Sequence, residues 1–138
     1  MCDIVYTINV HEKPDFLLYQ IKNIEKYTQA SYYIILNCNK FMYESLSSNN
    51  NIKQNNKIII NKEYFEKKRF TGLLFKGIYK NLQLSLKKFK FKYFIILSSR
   101  NLFYNLLTVE KIDELFKSFY KNQDNIKITN YNNLNNWG

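Results

Sequence analysis

The sequence is poor in the residues on which several common kinds of site depend. Its 138 residues include three glycines, one histidine and two cysteines. The glycines form neither a G-x-G-x-x-G nor a Walker pattern, which excludes the common nucleotide fingerprints. A single histidine gives little support to a metal site or a histidine-based hydrolase. No Asp-x-Asp pair is present either, and such a pair is a common way to hold Mg²⁺ or Mn²⁺. We therefore expect no metal and no other cofactor.

The sequence also lacks the signs of secretion and of membrane insertion. Cys2 and Cys38 are lone thiols that fit neither a disulfide framework nor a metal motif. The N-terminus does not have the basic and then apolar character of a signal peptide. No apolar run approaches the ~18 residues of a membrane span. The sequence therefore predicts a cytoplasmic protein.

The charge of the chain is strongly positive, with a formal net value of +10. Only Arg69 and Arg100 are arginine, although arginine is the preferred partner of phosphate and guanine. Lysine, asparagine, isoleucine, tyrosine and phenylalanine are all favoured by AT-rich codons, so an AT-rich genome accounts for much of this charge. A nucleic-acid-binding protein is an alternative without a recognisable motif, whereas a basic surface also attracts phosphorylated small molecules.

Apolar runs and four-residue spacing alternate along the chain. They predict strands at 3–10, 32–37, 58–60 and 93–97, and helices at 15–27, 70–88 and after Thr108. The run at 93–97 lacks polar alternation, so we expect a central strand that is covered on both faces. The pattern predicts one α/β domain over 1–138, with a mainly parallel sheet flanked by helices. The segment 45–57 is predicted to be an Asn-rich loop, 126–129 a further strand and 130–138 an irregular tail.

The spacing within the two long C-terminal helices predicts their buried faces. In helix 70–88 we expect Gly77 to allow close approach to a strand. The apolar residues that recur along the same side of that helix as Gly77 are Phe70, Leu73, Leu74, Ile78, Leu82 and Leu86. In the helix after Thr108 the predicted buried residues are Val109, Ile112, Leu115, Phe116 and Phe119.

Polar clusters follow three of the predicted strands. They begin at His11, at Asn37 and at Ser98. Ligands of open α/β sheets bind beyond the carboxyl ends of the strands, so the clusters can meet at one site. The alternative is that each strand simply turns in polar residues.

The segments that carry these clusters resemble a known family. They read INVHEKPDFLLYQIKNI, YYIILNCNK and RFTGLLFKGIYKNLQLSLKKFKFKYFIILSSRNLF. In the same order, they resemble the N-terminal half of the core-2/I-branching N-acetylglucosaminyltransferase-like glycosyltransferases. In that family a strand ends in V-H, a later strand ends in H-I/V-D-x-K, and an aromatic-glycine helix start precedes an S-G-x-D-Y-P segment.

The resemblance implies the nucleotide-sugar half of an A-type glycosyltransferase fold. The implied reaction is a metal-independent, inverting transfer of a sugar from a nucleoside diphosphate-sugar, a UDP-sugar, to a hydroxyl of a glycan or another acceptor. The residues that the resemblance places at the nucleotide are Val10, His11, Asn37, Cys38, Asn39 and Arg69. Those that it places on the sugar or acceptor side are Ser98, Ser99, Arg100 and Asn101.

This chain departs from the family pattern at several of these positions. Cys38 stands at the position of the family's aspartate, and Ser99 and Asn101 replace the Gly and Asp of the last segment. The family's catalytic base belongs to its C-terminal half, so we identify no catalytic residue and expect the base beyond Gly138. We accordingly expect an exposed apolar patch, self-association and little activity of this chain alone. A non-catalytic module that binds a nucleotide, a glycan or a partner is the main alternative.

Overall fold

The computed structural model of the chain describes residues 1–11, 13–67 and 72–125, the last four of them by backbone alone. The chain divides into two compact units, Met1–Leu107 and Thr108–Gly138, where the sequence predicted one domain. The strands are β1 (Cys2–Asn9), β2 (Thr28–Gln29), β3 (Tyr32–Asn37), β4 (Ile58–Ile60), β5 (Phe91–Leu97) and β6 (Leu107–Thr108). The helices are α1 (Pro14–Tyr27), α2 (Lys40–Ser48), α3 (Asn50–Lys53), α4 (Leu73–Lys88) and α5 (Val109–Asn125).

The first unit is built on a four-stranded sheet with the order β4-β3-β1-β5. All three strand pairs are parallel, as the sequence predicted. From β1 the chain first adds β3 and β4 on one side, and then returns to add β5 on the other side of β1. The carboxyl ends of β1 and β5 therefore flank a topological switch point, which is where open α/β sheets bind ligands.

The core of this unit comes from continuous apolar strands. The side chains of Ile4, Val5 and Ile35 are fully buried, as expected for parallel strands covered on both faces. Side chains alternate between the two faces of a strand. Thr7 accordingly bonds to α4 on one face, while Tyr6 bonds to Thr28 on the other.

The outermost position of β5 corrects the prediction of a central strand at 93–97. β5 is the last strand in the sheet order, beside β1. Leu97 is buried, but Ile96 is exposed and the residues at 93–95 are only half-buried. A long apolar run predicts that a segment is a strand. It does not predict whether that strand is central or outermost, because this depends on which other strands pair with it.

Helix α4 confirms the helix predicted at 70–88 from Leu73 to Lys88, but a different face of it is buried. The buried residues are Gly77, Asn81 and Ser85, whereas Leu74 and Leu86 are exposed. The side-chain Nδ2 of Asn81 donates hydrogen bonds to Thr7 Oγ1 at 2.8 Å and to the Ile35 carbonyl at 3.1 Å. The prediction that apolar residues such as Leu86 form the buried stripe was wrong because hydrogen bonds to the sheet favour the polar face.

Gly77 confirms the prediction of close approach between α4 and the sheet. A Cβ atom at this position would overlap the side-chain Oδ1 of Asn9 and would lie 3.1 Å from that of Asn37. These two asparagines are the last residues of β1 and β3 and are register partners. The glycine therefore lets α4 rest on the carboxyl ends of two strands.

The predicted Asn-rich loop at 45–57 is largely helical, so that prediction was wrong. Asn39 caps α2 by accepting a hydrogen bond from the Met42 N–H at 2.8 Å. Asn49 ends α2 and caps α3, and Leu46 and Ile52 bury the apolar sides of the two helices. Asparagine is a preferred N-cap, so these asparagines start helices.

The second unit contributes α5, which begins as predicted. Thr108 Oγ1 accepts a hydrogen bond from the Lys111 N–H at 3.2 Å. Of the apolar side expected to be buried, Ile112 is buried, but Leu115, Phe116 and Phe119 are exposed. The prediction is therefore wrong for these three positions, since spacing places residues on one face but does not provide the surface that covers it. The predicted strand at 126–129 and tail at 130–138 lie outside the described residues.

None of the helices that the structure describes combines the length and the apolar character that a membrane-spanning helix needs.

Candidate functional site

The carboxyl ends of β1 and β5 bring two of the predicted site residues into contact. His11 follows β1 and Ser99 follows β5. The Ser99 hydroxyl lies 3.2 Å from His11 Nε2, and the Ser99 side chain is buried. Val10 beside them is buried, and its N–H donates to the Asn37 carbonyl at 2.7 Å.

The turn after β5 is held by its own side chains and by α1. Asn101 Oδ1 accepts a hydrogen bond from the Ser98 N–H at 2.7 Å, and Ser98 Oγ accepts one from the Arg100 N–H at 3.3 Å. Gln20 Nε2 donates to the carbonyls of Ser98 and Asn101 at 2.7 and 2.9 Å. Ser98 and Asn101 therefore shape the turn, while Ser99 and Arg100 line a pocket.

The last residue of β3 and the two residues that follow it have three different environments. Asn37 is fully buried, and its Nδ2 donates to the Glu63 carbonyl at 3.3 Å. Cys38 is also fully buried, and burial raises the pKa of its thiol to about 11. The thiol is therefore protonated at neutral pH and is a poor nucleophile. Asn39 caps α2 and also lines the first pocket described next.

The first pocket, of about 350 Å³, lies at the carboxyl edge of the sheet. This volume is at the lower end of the range for small-molecule sites. Its lining residues are Asn9, Val10, His11, Asn39, Glu66, Lys67 and Leu74. Three of the seven, Val10, His11 and Asn39, are predicted nucleotide-binding residues. Asn37 and Cys38 are not among the lining residues, and Arg69 lies outside the described part of the chain.

Lys67 brings positive charge to the first pocket. Its Nζ lies 4.3 Å from the centre of the Phe65 ring, and Lys76 Nζ lies 4.9 Å from the centre of the same ring. Burial lowers the pKa of the Lys67 ammonium, and the electrostatic interactions with Cys38, once its thiol is ionised, and with Glu66 oppose that shift. A desolvated ammonium gains more from a bound anion than a hydrated one does.

Two asparagine amides lie where α4 packs on the ends of β1 and β3, and that of Asn9 also lines the first pocket. Asn9 Nδ2 donates to the Leu74 carbonyl at 2.8 Å, and Asn37 Nδ2 is bonded as described above. These bonds fix the orientation of both amides. The Oδ1 atoms of Asn9 and Asn37 are buried and have no hydrogen-bond partner among the described residues. Each can therefore accept a further hydrogen bond, for example from a water molecule.

A second pocket, of about 470 Å³, involves the turn after β5 and the start of α1. It is lined by Phe16, Tyr19, Gln20, Ser99, Arg100 and Leu102. The contact between Ser99 and His11 connects the linings of the two pockets. Candidate nucleotide residues and candidate acceptor residues thus meet at the switch point.

The histidine and the serine can exchange a proton. A neutral imidazole within 3.2 Å of a hydroxyl can accept its proton, as a general base does. Glu66 supplies a carboxylate to the first pocket. Within 1–11, 13–67 and 72–125, no three His, Cys, Asp or Glu side chains are grouped in a way that suits a metal ion.

Sequence reasoning missed eight of the thirteen described residues that line the two pockets. Glu66 and Lys67 follow β4, whose carboxyl end lies at the same edge as those of β1, β3 and β5. Treating 58–60 like the other strands would have pointed to the segment that follows it, although Glu66 and Lys67 lie six and seven residues beyond Ile60. Phe16, Tyr19 and Gln20 lie within a helix, where the sequence offers no signal of a pocket.

The fold and the site define an open parallel α/β protein with one pocket at the carboxyl ends of β1, β3 and β4 and a second beside the turn after β5. Comparison of the chain with protein-family models, with curated proteins and with solved structures finds no significant match.

Proposed function

We propose that this chain is the nucleotide-sugar half of a glycosyltransferase, which uses a nucleoside diphosphate-sugar, a UDP-sugar, as donor and a hydroxyl as acceptor. The observation that carries the proposal is the switch point between β1 and β5. Open α/β sheets bind nucleotides at this point, and here it adjoins residues that the family resemblance places at the nucleotide.

The first pocket suits the nucleotide part of the donor. Val10 offers an apolar surface, and His11 and Asn39 offer hydrogen-bonding groups, for the base and the ribose. Lys67 faces the diphosphate in this assignment, since it is the cation that lines the pocket. α4 begins at Leu73, and its second residue, Leu74, lines the same pocket. The positive end of the helix dipole adds to the attraction for a diphosphate.

The sugar and the acceptor belong on the β5 side of the switch point in this proposal. Ser99 and Arg100 line the second pocket, which is connected to the first through the contact of Ser99 with His11. Inverting transfer needs a base that deprotonates the acceptor and positive charge that stabilises the leaving diphosphate. The family resemblance places that base in its C-terminal half, and Lys67 supplies positive charge here.

A module that binds the nucleotide without catalysis is the second candidate. Its support is that, among the described residues, Glu66 of the first pocket is the one carboxylate that lines the two pockets. Such a module would bind the same nucleotide at the same residues. Turnover, not binding, separates it from an enzyme.

Calorimetry with UDP in the presence of a chelator tests nucleotide binding. We expect His11→Ala and Asn39→Ser to weaken binding several-fold. The first removes the imidazole from the pocket, and the second replaces the amide by a shorter hydroxyl. Asn39→Ser keeps a good helix cap. Lys53→Ala, at an exposed position of α3, is the matched control and should bind as the unchanged chain does. The proposal is wrong if the folded chain does not bind UDP.

Hydrolysis or transfer of the sugar from a UDP-sugar is the activity that only the enzyme has. Release of UDP that depends on His11 would favour the enzyme. Binding of UDP without any release fits both candidates, since the family resemblance places the base in the C-terminal half.

A further inference from the structure

The net positive charge of the chain is confined to one segment of the sequence. Residues 67–109 contain ten lysine and arginine residues and no aspartate or glutamate. The rest of the chain has equal numbers of basic and acidic residues, so this segment holds the whole net charge of +10. A codon preference acts along the entire chain and does not place the excess in one segment. The position of the charge therefore indicates a local function.

Helix α4 lies within this segment and exposes apolar side chains. Phe75, Tyr79 and Leu86 are 69%, 50% and 64% exposed. Their spacings of four and seven residues place them on one side of the helix, which we call the α4 stripe. The side that packs on the sheet is a different one and includes Gly77 and Asn81. A helix on a sheet usually buries its apolar side, so the α4 stripe is a surface without a partner among the described elements.

Lysines accompany the α4 stripe. A lysine follows each of its three residues directly in sequence, and so lies about 100° further round the helix, on one flank of the stripe. Of these lysines, Lys80 is paired with Glu63 at 3.2 Å and contributes less charge. Lys87, Lys88 and Lys90 are exposed at the end of the helix and just beyond it. The surface around α4 is therefore both apolar and basic.

We propose that α4 binds the surface of a bilayer that contains anionic lipids. A helix at such a surface buries Phe and Leu side chains at the headgroup boundary, while its lysines contact the headgroups. Every lysine held near an anionic leaflet adds to the attraction. The bilayer thus covers the α4 stripe and supplies the negative charge that residues 67–109 lack. This proposal does not depend on the proposed function.

Two other occupants match this surface less completely. A second copy of the chain would cover the α4 stripe, but its own α4 has no acidic residue to place beside the lysines. A nucleic acid would neutralise the lysines but would not bury Leu86, and α4 contains no arginine, the preferred partner of phosphate. An anionic bilayer matches both the apolar and the charged part.

Flotation of the chain with phosphatidylcholine vesicles, with and without about one-third phosphatidylserine, tests the proposal. We expect much tighter binding to the anionic vesicles, weakened as the salt concentration rises. The triple variant Lys87→Gln, Lys88→Gln, Lys90→Gln should lower the partition coefficient about a hundredfold, since each lysine is worth roughly fivefold. The matched control removes the same charge from exposed positions of α1 and α3, with Lys22→Gln, Lys26→Gln and Lys53→Gln. It should retain most of the binding.

The apolar part of the surface has its own variants. Tyr79→Ser with Leu86→Ser should lower the partition coefficient at least about tenfold, because less apolar surface leaves water. Tyr19→Ser with Phe41→Ser is the control, since both residues are exposed on other helices.

A fluorescent label reports which part of the chain meets the vesicle. The native thiols of Cys2 and Cys38 are buried, so an environment-sensitive fluorophore can be attached at an introduced cysteine. On Leu86→Cys its emission should shift to shorter wavelength with anionic vesicles, and on Lys53→Cys it should not.

Several results would overturn the proposal. One is equal binding to vesicles with and without phosphatidylserine, and another is an equal loss in the lysine control. A chain that self-associates but binds neither kind of vesicle would show that a second copy covers the α4 stripe. Tighter binding of a single-stranded RNA than of anionic vesicles, retained in Tyr79→Ser with Leu86→Ser, would identify a nucleic-acid surface instead.

Discussion

Gly77 shows how one residue controls the approach of a helix to the sheet. A side chain at this position would meet the Oδ1 atoms of Asn9 and Asn37 and the Cε of Lys67. We expect Gly77→Leu to lower the free energy of unfolding by about 1–3 kcal/mol through overpacking. Gly72→Leu is the control, since a Cβ there has no atom within 4 Å. Urea unfolding of both variants measures the difference, and equal midpoints would contradict the close approach.

The lowered pKa of Lys67 leads us to predict that nucleotide binding depends on pH. Burial lowers the pKa of its ammonium below the ordinary 10.5. As the pH rises through this lowered pKa, the free protein loses the charge that attracts the diphosphate. UDP affinity should therefore fall at a lower pH than an ordinary lysine would allow. Lys67→Arg keeps its charge in alkaline solution and should remove this fall.

Calorimetry between about pH 7 and about pH 10 measures the effect of Lys67. Because burial disfavours the charged form of Lys67 in the folded chain, it lowers the free energy of unfolding at neutral pH. This loss disappears above the ordinary pKa of lysine, where the side chain is neutral in both the folded and the unfolded chain. An identical loss of UDP affinity in the unchanged chain and in Lys67→Arg would show that Lys67 is not the group responsible.

At the scale of elements, α4 is held to the sheet by hydrogen bonds. Asn81 accepts from Asn61 Nδ2 at 3.0 Å and donates to Thr7 and to the Ile35 carbonyl. Asn81→Ala leaves these buried groups without a partner, so we expect a loss of about 2–3 kcal/mol. Asn51→Ala, at an exposed position of α3, should change stability by less than about 0.5 kcal/mol. Thermal or urea unfolding compares the two, and equal effects would contradict this role of Asn81.

The elements also show what the sequence can and cannot predict. The strands were predictable because burial on both faces leaves continuous apolar runs, as at 32–37. The buried face of α4 was not, because the partners of Asn81 lie 46 and 74 residues away in sequence. The helix at Asn50–Lys53 was missed because an asparagine that caps a helix has the same composition signal as one in a loop.

At the scale of the whole molecule, the location of the site was more predictable than its lining. Parallel strands bring their carboxyl ends to one edge, so His11, Asn39 and Ser99 were expected there. Lys67 and Gln20 were not, since one follows a short strand and the other lies inside α1. Their placement depends on loops and crossovers that no local pattern encodes.

The exposed apolar residues of α4 predict self-association of the whole molecule. Leu74, Phe75, Tyr79 and Leu86 are all exposed along this helix, and large exposed apolar surfaces favour association. We expect the sedimentation coefficient to rise with concentration, and Phe75→Ser with Leu86→Ser to reduce the rise. Lys87→Ser, at an exposed position of the same helix, is the control. A constant sedimentation coefficient over about a hundredfold range of concentration would contradict the prediction.

Titration of the ¹⁵N-labelled chain with UDP tests the central claim of a nucleotide site at the carboxyl edge of the sheet. The account predicts amide shifts in the residues that follow β1, β3 and β4, at 10–11, 38–40 and 66–67, and at the start of α4. Ser31 and Lys57, which precede β3 and β4 at the opposite edge, should not shift. A folded chain whose amides do not respond to UDP, or respond mainly around Ser31 and Lys57, would contradict the account.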